Sequence, residues 1–187
     1  MLNHGADAFG IVFYEKSPRH VGLQQAVNII RAAKPFVTVV GLFVNPSVDY
    51  VREVLAQVSV DVLQFHGEEP PEFCAQFGKP YLKAVRVKIG VDLVQYAIRY
   101  AGAQGLLLDA YIEGTHGGTG ESFDWALIPR DLPLPVILSG GLHAGNVAEA
   151  IKQVQPYAVD VSSGVEVAKG IKDAAKIAAF IKAVKNF

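Results

Sequence analysis

Short, almost wholly apolar runs alternate along the chain with longer stretches in which apolar residues return every three or four positions. The runs are Phe9–Phe13, Val37–Phe43, Asp61–Phe65, Tyr81–Val85, Gly105–Asp109, Val136–Ser139 and Ala158–Val161. Unbroken apolar runs of this kind predict parallel strands covered on both faces, since a strand wetted on one side would alternate with polar positions. The stretches between them predict helices at Leu23–Ala33, Ser47–Val58, Pro70–Phe77, Val91–Ala101, Ala144–Val154 and Asp173–Val184. The second shows both halves of a helix signal. Ser47 supplies an N-cap oxygen, and Val48, Val51, Val54, Leu55 and Val58 form one apolar stripe.

The strand starts fall 20 to 31 residues apart. Strand–helix units at that pitch predict a parallel α/β fold. An open doubly wound sheet and a closed (β/α)8 TIM barrel compete. A dinucleotide-binding sheet should carry G-x-G-x-x-G after its first strand, and no strand here does. The barrel reading also puts polar residues where barrel sites lie, at strand C-termini. These are Gln64 and His66, Arg86, Asp109, Ser139 with Gly140 and Gly141, and Asp160 with Ser162 and Ser163. A barrel needs eight strands, and the runs number seven. Leu2–Gly5 reads as the last turn of a helix, with Gly5 as its left-handed stop. The expectation is a single barrel domain over residues 1–187, with about seven of eight units and its front incomplete.

Composition narrows the class. The chain has 187 residues, with 17 Lys and Arg against 18 Asp and Glu, a net charge of −1. Hydrophobic residues make up 51% and charged residues 19%, which excludes a disordered chain. Near-neutrality gives no footprint for nucleic acid. Charged residues, Pro or Gly interrupt every apolar run, so no membrane span is expected. The start MLNHGADAFG lacks a signal-peptide pattern, and Cys74 is the only cysteine, so a cytoplasmic location is expected.

Candidate chemistry sits at the strand ends. Ser139–Leu142 and Val161–Glu166 are successive Gly/Ser turns, and adjacent turns with free N–H groups make an anion cradle. Barrels commonly bind phosphate after strands seven and eight. Gly140, Gly141, Ser162, Ser163 and Gly164 are therefore the candidate phosphate ligands. Asp109 ends an otherwise apolar strand, where partial desolvation would raise its carboxyl into the range of an acid catalyst. Capping a following helix is the alternative, but Ala110–Ser122 is glycine-rich and suits a lid instead. Arg19, in Lys16-Ser17-Pro18-Arg19, is either a carboxylate or phosphate fork or a solvated surface residue. His66 shares no metal-ligand spacing with the other histidines, and a lone histidine is more often structural. Cys74 lies among Glu68, Glu69 and Glu72 on an outer helix and reads as structural.

These residues in this order resemble the phosphoribosylanthranilate isomerase family of tryptophan biosynthesis. The resembling segments are GADAFGIVFYEKSPRHV, VTVVGLFVNPS, VLQFHGEE, LLLDAYIEGTHGGTGESFDW, VILSGGLHAGNV and AVDVSSGVEVAKGIKD. The resemblance implies a (β/α)8 barrel and an Amadori rearrangement of N-(5-phosphoribosyl)anthranilate that needs neither metal nor cofactor. It implies Asp109 as general acid and Arg19 facing the anthranilate carboxylate. Gln64, His66 and Asp160 would contact the substrate, and the Gly140–Gly141 and Ser162–Gly164 turns would hold its phosphate. The family opens on a strand reading Lys-Ile-Cys-Gly whose cysteine is the general base, and no such motif occurs in this sequence. The chain alone is accordingly expected to be nearly inactive, or a phosphate-binding barrel without turnover, and either prone to aggregate or paired with a second copy through its open edges as a homodimer. An isomerase acting on an imidazole-carboxamide nucleotide is the remaining alternative. It would need two mouth carboxylates, and Asp7 or Asp160 are the partners on offer for Asp109.

Overall fold

The computed structural model of the chain describes residues 5–88, 90–109 and 125–186. The expected helical turn at Leu2–His4 and the expected lid at Ala110–Ser122 lie outside these residues, while Gly5 has the positive φ, 90°, of a left-handed stop. The chain divides into two units, Met1–Lys83 and Ala84–Phe187.

In the first unit β1 (Ala8–Val12), β2 (Thr38–Phe43), β3 (Val62–Phe65) and β4 (Tyr81–Arg86) run parallel in chain order. The register pairs Ala8 with Thr38, Val40 with Val62 and Leu63 with Tyr81. The crossover helices are α1 (Leu23–Arg31), α2 (Val48–Gln57) and α3 (Pro71–Ala75). Ser47 caps α2 as its sequence predicts, its hydroxyl accepting from Tyr50 N–H at 3.2 Å, and Val51 and Val54 of the apolar stripe are buried. Ile11, Phe13, Phe43, Leu63 and Phe65 are buried; Phe13 stacks on Phe43, and Phe43 and Phe65 meet Tyr50 of α2 and Phe73 of α3 on the helix-covered face of the sheet.

β4 ends inside the second unit. There it is followed by α4 (Leu93–Arg99), β5 (Gly105–Asp109), a 3-10 turn at Trp125–Leu127, β6 (Val136–Ser139), α5 (Val147–Val154) and β7 (Ala158–Val159). β5, β6 and β7 are parallel neighbours, with Leu106 opposite Val136 and Leu138 opposite Val159. Leu106, Leu108, Leu138, Val147, Trp125 and Phe180 share one buried cluster.

The structure corrects one region. β7 stops at Val159, not Val161, and the turn after it enters a 3-10 turn at Ser163–Val165. An antiparallel pair, β8 (Glu166–Ala168) and β9 (Ile171–Lys172), follows before α6 (Ala174–Lys185). Gly170 turns this ribbon at φ 83°, a conformation that costs glycine nothing sterically.

Candidate active site

β5 carries Leu106, Leu107 and Leu108 fully buried, and Asp109 half-buried at its end. In register with it, Asp109 faces Ser139 at the end of β6. Ser139 in turn donates its hydroxyl to the Asp160 carboxylate at 2.9 Å. Three consecutive strand ends thus line up Asp109, Ser139 and Asp160. The Asp109 carboxyl is pushed above its ordinary value, chiefly because burial strips water from the anion. The positive charge of Arg86 opposes the rise, and the negative charge of Asp160 adds to it. The Asp160 carboxyl is also raised by the protein crowded around it, against the Ser139 hydrogen bond and the charge of Lys172. Asp160 remains open to solvent, so water screens it more than Asp109 and its rise carries less weight.

The two expected anion turns meet in this unit. Gly140 and Gly141 follow β6 with φ 85° and 66°, a left-handed pair that presents successive backbone groups on one side. Asn146 clips the turn, donating to the Gly141 carbonyl at 3.1 Å and accepting from His143 N–H at 2.8 Å. Gly164, in the second turn, packs directly against the Leu142 carbonyl. A β-carbon at Gly164 would overlap that backbone oxygen, so the turns can touch only because this residue is glycine. Ser163 and Gly164 are the first residues of their 3-10 turn, where N–H groups have no partner within the turn.

Three site candidates belong to the first unit. Gln64 is buried on β3, and His66 follows that strand with its N–H bonded to the Phe43 carbonyl at 2.8 Å. Arg19 is half-buried in the turn after β1, its N–H donating to the Ser17 hydroxyl at 3.1 Å. All three stand at or beyond strand C-terminal ends. Asp7 does not, because it precedes β1 and spends its carbonyl on Thr38 N–H at 3.0 Å. Of the two carboxylates on offer as a partner for Asp109, only Asp160 lies at a strand C-terminal end, after β7 and one strand beyond β6.

Cys74 is fully buried, and burial pushes its thiol up to about 12, against the lowering charge of Lys83. A thiol so protonated is no nucleophile or base near neutral pH. Among the described residues no group of three or more His, Cys, Asp or Glu could hold a metal ion.

Sequence reasoning placed Arg86 at a strand end without giving it a role, and missed Lys172. Arg86 was visible at a strand end, but its charge becomes relevant only once β4 lies near Asp109. Lys172 gave no signal, because the β8–β9 ribbon that carries it was not expected.

The sequence matches the family described as N-(5'phosphoribosyl)anthranilate (PRA) isomerase over residues 1–183. It is 61% identical over 180 residues to the N-(5'-phosphoribosyl)anthranilate isomerase of Nitrosospira multiformis, covering 96% of this chain and 86% of that one. A crystal structure of phosphoribosyl anthranilate isomerase in complex with reduced 1-(o-carboxyphenylamino)-1-deoxyribulose 5-phosphate superposes with a TM-score of 0.87 at 39% identity, over 100% of this chain and 91% of that one. Monomers generated from the dimeric enzyme of Thermotoga maritima superpose at 0.86 and 38% identity, with the same coverage. No helix among the described residues is long and apolar enough to cross a membrane.

Proposed function

The chain belongs to the N-(5'-phosphoribosyl)anthranilate isomerase family, with its α/β barrel fold, and from that premise we propose how its residues divide the reaction. The enzyme is an isomerase of tryptophan biosynthesis. It converts N-(5-phosphoribosyl)anthranilate to 1-(2-carboxyphenylamino)-1-deoxyribulose 5-phosphate. Asp109 is the general acid: it protonates the furanose ring oxygen, and the C1′–O bond breaks to leave an iminium. Loss of the C2′ proton to a base gives an enolamine, which tautomerises to the ketone. Because the iminium accepts the electron pair, the rearrangement calls for no cofactor. Cys74 has no part in the proton removal, since its thiol is buried and protonated.

The observation that carries this assignment is a carboxyl raised by burial at the end of an apolar strand, beside the paired glycine turns. Those turns, through Gly140, Gly141, Ser162, Ser163 and Gly164, hold the substrate phosphate. Arg19 takes the anthranilate carboxylate, and Gln64, His66 and Asp160 complete the substrate contacts. Replacing Asp109 with Asn tests the acid. In a chain carrying all eight strand–helix units, we expect kcat to fall by about 10²–10⁴ while product affinity changes little. Near-parental turnover would remove Asp109 from the mechanism, and parental turnover no faster than in buffer would leave a phosphate-binding barrel.

A second copy of the chain is proposed as its partner, on the strength of the dimeric relative. Light scattering on the purified chain should then return twice the monomer mass. A cytoplasmic location is proposed as well, since the lone buried thiol needs no oxidising compartment.

A further inference from the structure

The turn at Ser162–Gly164 is held from behind by side chains that the phosphate reading leaves unused. Lys172, on β9, donates to the Ser162 carbonyl at 2.9 Å, to the Ser162 hydroxyl at 3.4 Å and to the Glu166 carboxylate at 2.9 Å. An ammonium has three N–H bonds, and these acceptors take all of them. Glu166 is 8% exposed, so the ion pair lies against the protein rather than in bulk water. The far end of the turn is tied too. Asp173 N–H donates to the Val165 carbonyl at 2.9 Å, and Lys176 reaches the Glu166 carbonyl at 2.7 Å.

The Ser162 carbonyl and the Ser163 N–H belong to one trans peptide plane and point in opposite directions. Pinning the carbonyl on Lys172 therefore aims the N–H away from the ribbon. A cation on the amide oxygen also polarises the group and makes its N–H a stronger donor. The ion pair with Glu166 spans the ribbon, where Glu166 and Lys172 stand opposite each other, whereas the two bonds to Ser162 reach out of the ribbon to the turn.

We propose that Lys172 is a positioning residue for the phosphate cradle: through the Ser162 peptide it sets the aim and donor strength of the Ser163 N–H without touching the phosphoryl group. This rests on the phosphate reading given above and deepens it.

The test is an amide NMR titration of the full chain with inorganic phosphate, in the parent and in Lys172→Met. In the parent, the Gly140, Gly141, Ser163 and Gly164 amides should shift together. In Lys172→Met, phosphate affinity should fall about tenfold, with the Ser163 shift most reduced, as expected for a lost charge-assisted contact. Lys172→Arg keeps a cation and donors and should stay within about twofold of the parent. In a chain carrying all eight strand–helix units, KM for N-(5-phosphoribosyl)anthranilate should rise about as far in Lys172→Met while kcat changes less than about threefold. A purely structural lysine would lower stability and leave KM alone. If Lys172→Met does not fold, Lys172→Gln carries the same test and should bind phosphate several-fold more weakly. Parental phosphate affinity in the folded variant, with cradle amides shifting as before, overturns the role of Lys172 and leaves the cradle standing. Cradle amides that stay still in the parent would overturn the phosphate reading itself, and the inference with it.

Discussion

At the scale of single residues, the balance around Asp109 sets the pH range of the acid. Folding raises its carboxyl above the ordinary 3.8. Below 3.8 the folded and unfolded states are both protonated, and the group adds nothing to stability. Between 3.8 and the raised value the unfolded chain ionises while the folded one does not, so Asp109 costs stability increasingly across that window and by a constant amount above it. Activity runs the same way, because only the protonated form can donate and kcat should fall as pH passes that value. Arg86 holds the carboxyl down, so Arg86→Gln should move the falling limb of the kcat–pH profile to higher pH. Arg86 is exposed, so the move should stay under about one pH unit and shrink as salt is added. A shift to lower pH would mean that another group governs the limb. Asp109 itself was legible in the sequence, since a lone carboxyl ending GLLLD has few other uses. The identity of its neighbours was not, because Arg86 and Asp160 lie 23 and 51 positions away and meet it only through strand order.

At the scale of elements, the loops after β2 and β3 are joined by one buried carboxylate, Glu69, which a buried lysine holds in place. Lys83 is fully buried on β4 and donates to the carbonyls of Phe65 and Gly67, at 3.2 and 2.5 Å, and to Glu69 at 3.1 Å. Glu69 also accepts from Asn45 N–H at 2.7 Å and from Gly67 N–H at 3.1 Å. The segment that carries His66 is thereby fastened to the end of the neighbouring strand. Replacing Lys83 with Met would leave Glu69 buried without its countercharge, which costs about 3–5 kcal/mol. Urea unfolding should show that loss, and Lys83→Met/Glu69→Leu should recover only part of it, because the Asn45 and Gly67 N–H groups would then lack an acceptor. Nothing local in YLKAV marked Lys83 as paired, since its partner lies 14 residues earlier in another loop. The seven strands were readable because strands covered on both faces must be apolar throughout. The β8–β9 ribbon was not, being two to three residues a strand with Val167 and Ile171 exposed, too short and too mixed for any period to emerge. Gly170 was its one available signal.

At the scale of the whole molecule, the sequence holds one cysteine and one tryptophan, and each is buried in a different unit. Cys74 reports on the first unit: its thiol should resist disulfide reagents in the native chain and react once that unit opens. Trp125 reports on the second, through the red shift of its emission when water reaches the indole. The two signals come from chemically unrelated groups and cannot be confused. β4 contributes to the sheets of both units, so neither keeps all its strands if the other unfolds. Thiol labelling and fluorescence followed along one urea series should therefore give the same midpoint, and labelling that runs ahead of the emission change would show that the first unit opens by itself. The chain thus carries its own paired probes of cooperativity, with no engineered label needed.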